Sequence, residues 1–237
     1  DTGSASGATE EWTGAGANIG AWSTGANLNT ARDAVQGAGR TSTSALAFAG
    51  DTPPKTAITE SWNGTNWTEV NDLNSARRLG AASGATNTAV LGFGGLGPPT
   101  YAVTETWNGT NWTEVNDLNT ARYQLAGVGT STSALAVGGD PASAINELWN
   151  GTNWTEVNNV NTGRQNWAGS GPDNTAALVF GGASPPHTGK TEEWNGTNWT
   201  ETTDLPAARY NFIATGSSNT AVLAFGGQPG LAGSTDS

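Results

Sequence analysis

Five arginines, Arg32, Arg77, Arg122, Arg164 and Arg209, each stand ten residues after a tryptophan: Trp22, Trp67, Trp112, Trp154 and Trp199. Brought onto one ring, five guanidinium groups form an anion clamp. Set against carboxylates and loop carbonyls, they form clasps that hold a fold together. Glu10, Glu60, Glu105, Glu147 and Glu192 recur just as regularly and are natural partners. A residue present in every copy of a repeat serves the repeat, so the structural role is the expected one.

Other reactive chemistry is sparse. His187 is the sole histidine and there is no cysteine, too few partners for a catalytic triad or a zinc site. Recurring acids such as Glu69 and Asp72 read as loop caps rather than a glycosidase pair. The Gly-Gly pairs end strands instead of opening helices, so they are not phosphate loops. Overlapping Asn-x-Thr sequons, such as Asn63-Gly64-Thr65 and Asn66-Trp67-Thr68, are explained by turn geometry before glycosylation. No catalytic residue, metal site or cofactor is expected.

These residues are positioned by a repeat. The tryptophans at 22, 67, 112, 154 and 199 are separated by steps of 45, 45, 42 and 45 residues. A pair of small residues closes each unit: Ala49-Gly50, Gly94-Gly95, Gly138-Gly139, Gly181-Gly182 and Gly226-Gly227. A period of this size containing strand-like runs marks a repeat architecture.

One unit reads as four strands. Thr104–Trp107 alternates polar and apolar residues, and Asn108-Gly109-Thr110-Asn111 has the chemistry of a tight hairpin. Trp112–Val115 returns, which sets Trp107 and Trp112 side by side as a cross-strand pair. A polar loop, 116–120, leads to a third strand, Tyr123–Val128, rich in small residues that suit a crowded axis. Ala134–Val137 is apolar on both faces, as expected of a strand sandwiched between neighbouring sheets. Trp67, Trp112, Trp154 and Trp199 are expected to lie buried between blades.

The net charge of −11 opposes nucleic-acid binding, which needs a basic footprint, and anionic membrane surfaces. No apolar run is long enough to insert in a bilayer. The absence of methionine suggests a processed or excised piece of a longer polypeptide or larger assembly. The absence of both sulfur residues fits an extracellular or virion location.

The order apolar run, Gly-Gly, variable loop, Glu-x-Trp, short turn, Trp and then Arg resembles the kelch repeat. The resemblance runs from about Thr9 to Gly227. It implies an all-β fold, a β-propeller of four-stranded antiparallel blades. The five copies predict five blades. The N-terminal strand pair, about 9–24, lacks inner strands, and the C-terminal pair, about 210–227, lacks outer ones. Pairing the two would close the fifth blade and remove open edges. Residues 9–227 then form one propeller, with 1–8 and 228–237 as linkers or tails. Near-identical Trp-Asn-Gly-Thr-Asn-Trp units also resemble repeats of bacteriophage and other virion structural proteins.

Function is expected where the copies differ. The residues after each arginine diverge (Asp33, Arg78, Tyr123, Gln165 and Tyr210, then Ala34, Leu79, Gln124, Asn166 and Asn211), as do the loops after Gly-Gly. Both sets should emerge on one face, opposite the monotonous Asn-Gly-Thr-Asn turns. Tyr101, Tyr123, Tyr210, Arg78, Gln165, Asn211 and His187 are the candidate ligand-binding residues there, and aromatics with amides suit a glycan or a protein loop. The expected function is a non-enzymatic attachment module on a virion or cell surface. The alternatives are an assembly scaffold with no small ligand and, third, a propeller hydrolase.

Overall fold

Each Asn-Gly-Thr-Asn segment folds on itself before it meets anything else. Asn63 Oδ1 accepts the N–H groups of Thr65 and Asn66, both at 2.9 Å, while Gly64 takes a φ of +93° that a side chain would oppose. The same turn recurs at Asn108, Asn150 and Asn195. It fixes a hairpin in which Trp107 stands opposite Trp112, with ring centroids 5.5 Å apart.

The structure, a computed structural model, describes residues 10–13, 21–183, 187–228 and 235–236. Among the described residues, strands β1 (Glu10–Thr13) and β2 (Ala21–Thr24) form a two-stranded sheet with each other. Four four-stranded antiparallel blades follow, each running from an inner to an outer strand. The first is β3 (Gln36–Thr41), β4 (Ser44–Phe48), β5 (Thr59–Trp62) and β6 (Trp67–Val70). The second is β7 (Ala81–Thr86), β8 (Ala89–Phe93), β9 (Thr104–Trp107) and β10 (Trp112–Val115). The third is β11 (Ala126–Gly129), β12 (Ala134–Val137), β13 (Asn146–Trp149) and β14 (Trp154–Val157). The fourth is β15 (Ala168–Asp173), β16 (Ala176–Phe180), β17 (Thr191–Trp194) and β18 (Trp199–Glu201). A three-stranded sheet comes last: β19 (Ile213–Thr215), β20 (Leu223–Phe225) and β21 (Thr235–Asp236).

The expectation of five four-stranded blades, closed by the two chain ends, is therefore corrected. Among the described residues there are four such blades. The edge of β20 that β1 was to fill is taken by β21, through Ala224 opposite Asp236 and Phe225 opposite Thr235. One edge accepts one partner, and a strand a few residues downstream closes a far smaller loop than one two hundred residues upstream. The stretch 228–237, read as a tail, thus supplies a strand, while 1–8 lies outside the described residues. The third strand of the third unit is also shorter than expected. It begins at Ala126, because Gln124 takes a left-handed φ of +56° and turns the chain at a corner.

The core lies between blades. β12 is fully buried along its length, as its two-sided apolar character implies. Phe48 of the first blade packs on Trp112 of the second at 4.7 Å, and Phe93 of the second on Trp154 of the third at 4.9 Å. Trp112, Trp154 and Trp199 are buried. Trp67 is only half-buried.

Candidate functional site

The repeated arginines are buried, and four make ion pairs with the repeated glutamates: Arg32–Glu60, Arg77–Glu105, Arg122–Glu147 and Arg164–Glu192. Each arginine arrives on the loop from the preceding outer strand, and each glutamate sits on the third strand of the blade being entered. Glu105 shows how fully the carboxylate is used. Its Oε1 accepts from Arg77 at 2.7 Å, and its Oε2 accepts the backbone and side-chain N–H groups of Asn74 at 2.8 and 2.7 Å. Burial lowers the pKa of Arg77, Arg122 and Arg164, and the paired glutamate opposes that shift. Such a charge is spent inside the fold and has nothing to offer a ligand. Arg209, at the entry to the last sheet, is also buried and donates to Gly226 O at 3.2 Å.

The recurring acids after the hairpin act as caps. Asp72 Oδ1 accepts the Thr59 N–H, and Asp117 and Asp204 do the same for Thr104 and Thr191, all at 3.1 Å.

Beyond the arginines the chain builds the variable face. Each residue after the arginine pairs, as an isolated bridge, with the residue after its own Gly-Gly: Asp33 with Asp51, Arg78 with Leu96, Tyr123 with Asp140, Gln165 with Ala183 and Tyr210 with Gln228. The two divergent sets thus meet on one side of the molecule. Their frame is main chain. The glycine that ends each of the first four pairs donates to the carbonyl of the next arginine, for example Gly50 to Arg77 at 2.9 Å and Gly95 to Arg122 at 3.0 Å. The following residues, Ala34, Leu79, Gln124, Asn166 and Asn211, are all left-handed. They form a chain of bonds from sheet to sheet, Leu79 N–H to Ala34 O, Gln124 to Leu79, Asn166 to Gln124 and Asn211 to Asn166. A left-handed side-chain residue costs about 1–2 kcal/mol, and a net bond of comparable size offsets much of it.

The candidate residues fall into two groups on this face. Arg78 forms an ion pair with Asp51 of the preceding blade at 2.8 Å. The Asp140 carboxylate beside the Tyr123 hydroxyl raises that phenol above its usual pKa, and the charge of nearby Arg78 opposes the shift. In the second group, His187 stacks on Tyr210 with ring centroids 4.1 Å apart, and the Tyr210 hydroxyl donates to Gln228 Oε1 at 3.0 Å. Gln165 follows Tyr123 and precedes Tyr210 in blade order, and its buried Oε1 lacks a hydrogen bond. Asn211 is exposed and contributes its backbone N–H to the sheet-to-sheet chain. Tyr101 is partly spent on its own loop, where its ring covers Gly97 so closely that a Cβ there would lie 2.2 Å from it.

Asp51, Asp140 and Gln228 belong to this face and were not among the expected residues. The signal was present: the position directly after Gly-Gly reads Asp51, Leu96, Asp140, Ala183 and Gln228, four residue types in five units.

The axial cavity, about 100 Å³, lies elsewhere. It is lined by the middle of the inner strands β3, β7, β11, β15 and β19, including Ser83, Val128 and Ser170, rather than by the variable loops.

Inner strands set around one axis, with blades running outward to paired tryptophans, make the chain a β-propeller with four-stranded blades. A solved structure described as "Structure of YjhT" shares this fold at a TM-score of 0.79 and 12% identity, over 99% of this chain and 88% of that one. No family model matches the sequence, and no curated protein matches it.

Proposed function

We propose that this propeller is a non-enzymatic attachment module of kelch type, carried on a virion or cell surface, that binds glycan or protein through its variable face. The observation that carries the reading is the division of labour at that face. The bonds that recur from blade to blade there are main-chain bonds, while the side chains above them, the Arg78–Asp51 pair included, differ from unit to unit. Tyr123, Tyr210 and His187 supply ring surface, and Arg78, Asp51, Asp140 and Gln165 supply donors and acceptors, a mixture suited to a polar ligand with an apolar side. The experiment is a glycan-array screen beside a pull-down from the source particle, with wild type and a Tyr123→Ser/Tyr210→Ser variant. The variant should stay folded and lose binding. Loss of binding in a Thr110→Ala/Thr152→Ala control, with the tyrosine variant unaffected, would overturn this reading.

A second reading, an assembly scaffold, is favoured by one observation on the opposite side. Asn71, Asn116 and Asn158 each reach the hairpin turn of the next blade, donating to Asn111, Asn153 and Asn198 Oδ1 at 2.8, 2.6 and 3.0 Å. These bonds give that side a regular polar relief that a symmetric partner can match.

A further inference from the structure

Arg40 breaks the repeat at the axis. The equivalent positions, eight residues after each repeated arginine, hold Ala85, Thr130, Pro172 and Ser217. No other unit places a charge there, so the blade does not need one. The backbone there carries a slip that the second and fourth blades share. Pairing of β3 with β4 slips between Ala38 and Thr41, and Gly39 sits at φ +137°, where a Cβ would lie 2.4 Å from Ser44 O. A bulge of this kind re-aims the next side chain.

The guanidinium crosses the axis. Its Nη2 donates to Gly129 O of the third blade and to Gly171 O and Pro172 O of the fourth, each at 2.9 Å. These acceptors fix the group without neutralising it. Arg32, Arg77, Arg78, Arg122 and Arg164 all have a carboxylate within ion-pair distance, and Arg40 has none among the described residues. Its Nε and Nη1 make no hydrogen bond there. The nearby acid is Asp173, whose carboxyl is held low first by the Thr175 hydroxyl and backbone N–H, with Arg40 a lesser cause. Among the described residues Arg40 is the one charged group lining the axial cavity, together with Ser83, Ser170 and Thr215. The inner strands β3, β7, β11, β15 and β19 each leave one edge unpaired by their own sheet, which presents N–H groups as well as carbonyls.

We infer that the axial cavity is a binding site for a small oxyanion, a phosphate or carboxylate group, held by Arg40 and the inner-strand backbone. A fixed, unpaired guanidinium in a confined polar cavity attracts an anion more strongly than one in open water. The Nη2 bonds leave Nε–H and Nη1–H₂ to donate, so the contact is to single oxygens rather than a two-pronged fork. The cavity admits one such group and no sugar ring. This site is independent of the variable face, so either can fail without the other.

The test uses the intact protein and inorganic phosphate, with acetate as the carboxylate probe, at constant ionic strength. Titration followed by amide and arginine side-chain NMR should give a saturable shift at Arg40 Nε–H and at the Gly39, Gly84, Gly129, Gly171 and Gly216 amides. Arg40→Gln should weaken the apparent affinity about tenfold or more, the value of a charged hydrogen bond, and Arg40→Lys should restore part of it. Shifts that never saturate, shifts spread over the surface, or equal affinity in Arg40→Gln would overturn the site. If Arg40→Gln does not fold, the wild-type shift map decides: confinement to the named groups supports the site, and its absence there ends the idea.

Discussion

The indole N–H of Trp112 donates to the hydroxyl of Thr59 in the preceding blade, 3.0 Å away. Trp154 and Thr104 repeat the bond at 3.0 Å. The tryptophan that closes one hairpin is thereby the seal of the neighbouring blade. Trp112→Ala should cost about 3–5 kcal/mol, as for other buried large aromatics. A denaturant titration showing a loss under about 1 kcal/mol would mean that the ring is not part of the interface.

The third such junction lacks this bond. Asn146 stands where Thr59 and Thr104 stand, and both Asn146 Oδ1 and Trp199 Nε1 are buried without a partner. Asn146→Thr should restore the hydroxyl acceptor and stabilise the protein by about 1 kcal/mol. An unchanged or lower unfolding midpoint would show that the two groups are not matched across this interface.

Arg122→Ala strands the Glu147 carboxylate in the interior and should cost about 3–5 kcal/mol. Arg122→Met combined with Glu147→Leu should recover part of that loss. Recovery stays incomplete because Asn119 N–H and Ala136 O lose their partners. Affinity for a ligand of the variable face should not change in either variant. A folded Arg122→Ala protein of wild-type stability that has lost an anionic ligand would reassign the arginine ring to binding.

Tyr123 offers a pH reading. Its folded pKa is raised, first by the hydrogen bond to Asp140. The bond's contribution is complete below the unfolded tyrosine pKa, about 10, and is lost as pH rises through the higher folded value. Ultraviolet titration should show one phenol ionising late, and Asp140→Asn should move it earlier. A titration curve that Asp140→Asn leaves untouched would remove Asp140 from contact with the hydroxyl.

Much of this molecule is legible in its repeat. Asn-Gly turns, the tryptophan pairs and the two-sided apolar fourth strand each follow from local residue types, and each is where the spacing predicts. The Arg–Glu clasps follow from regularity, since equal periods place the partners together in every blade. What the repeat does not carry is competition. Whether β1 or β21 takes the edge of β20 depends on loop closure, and no motif records it. Nor does residue type announce Leu79 or Gln124 as left-handed, since the conformation is imposed by bonds from the next sheet. Arg40 and Asp51 are visible only as departures, by comparing units for what they do not share.

The sheet-to-sheet chain through Ala34, Leu79, Gln124, Asn166 and Asn211 has an evolutionary consequence. Its bonds run from N–H to carbonyl, so the joint between blades never depends on the side chain at the corner. Selection can rewrite these positions and their neighbours one at a time, with β-branched residues disfavoured by the left-handed backbone and proline barred by its fixed φ and missing N–H. A new recognition surface can then arise by point substitution without passing through an unfolded ancestor.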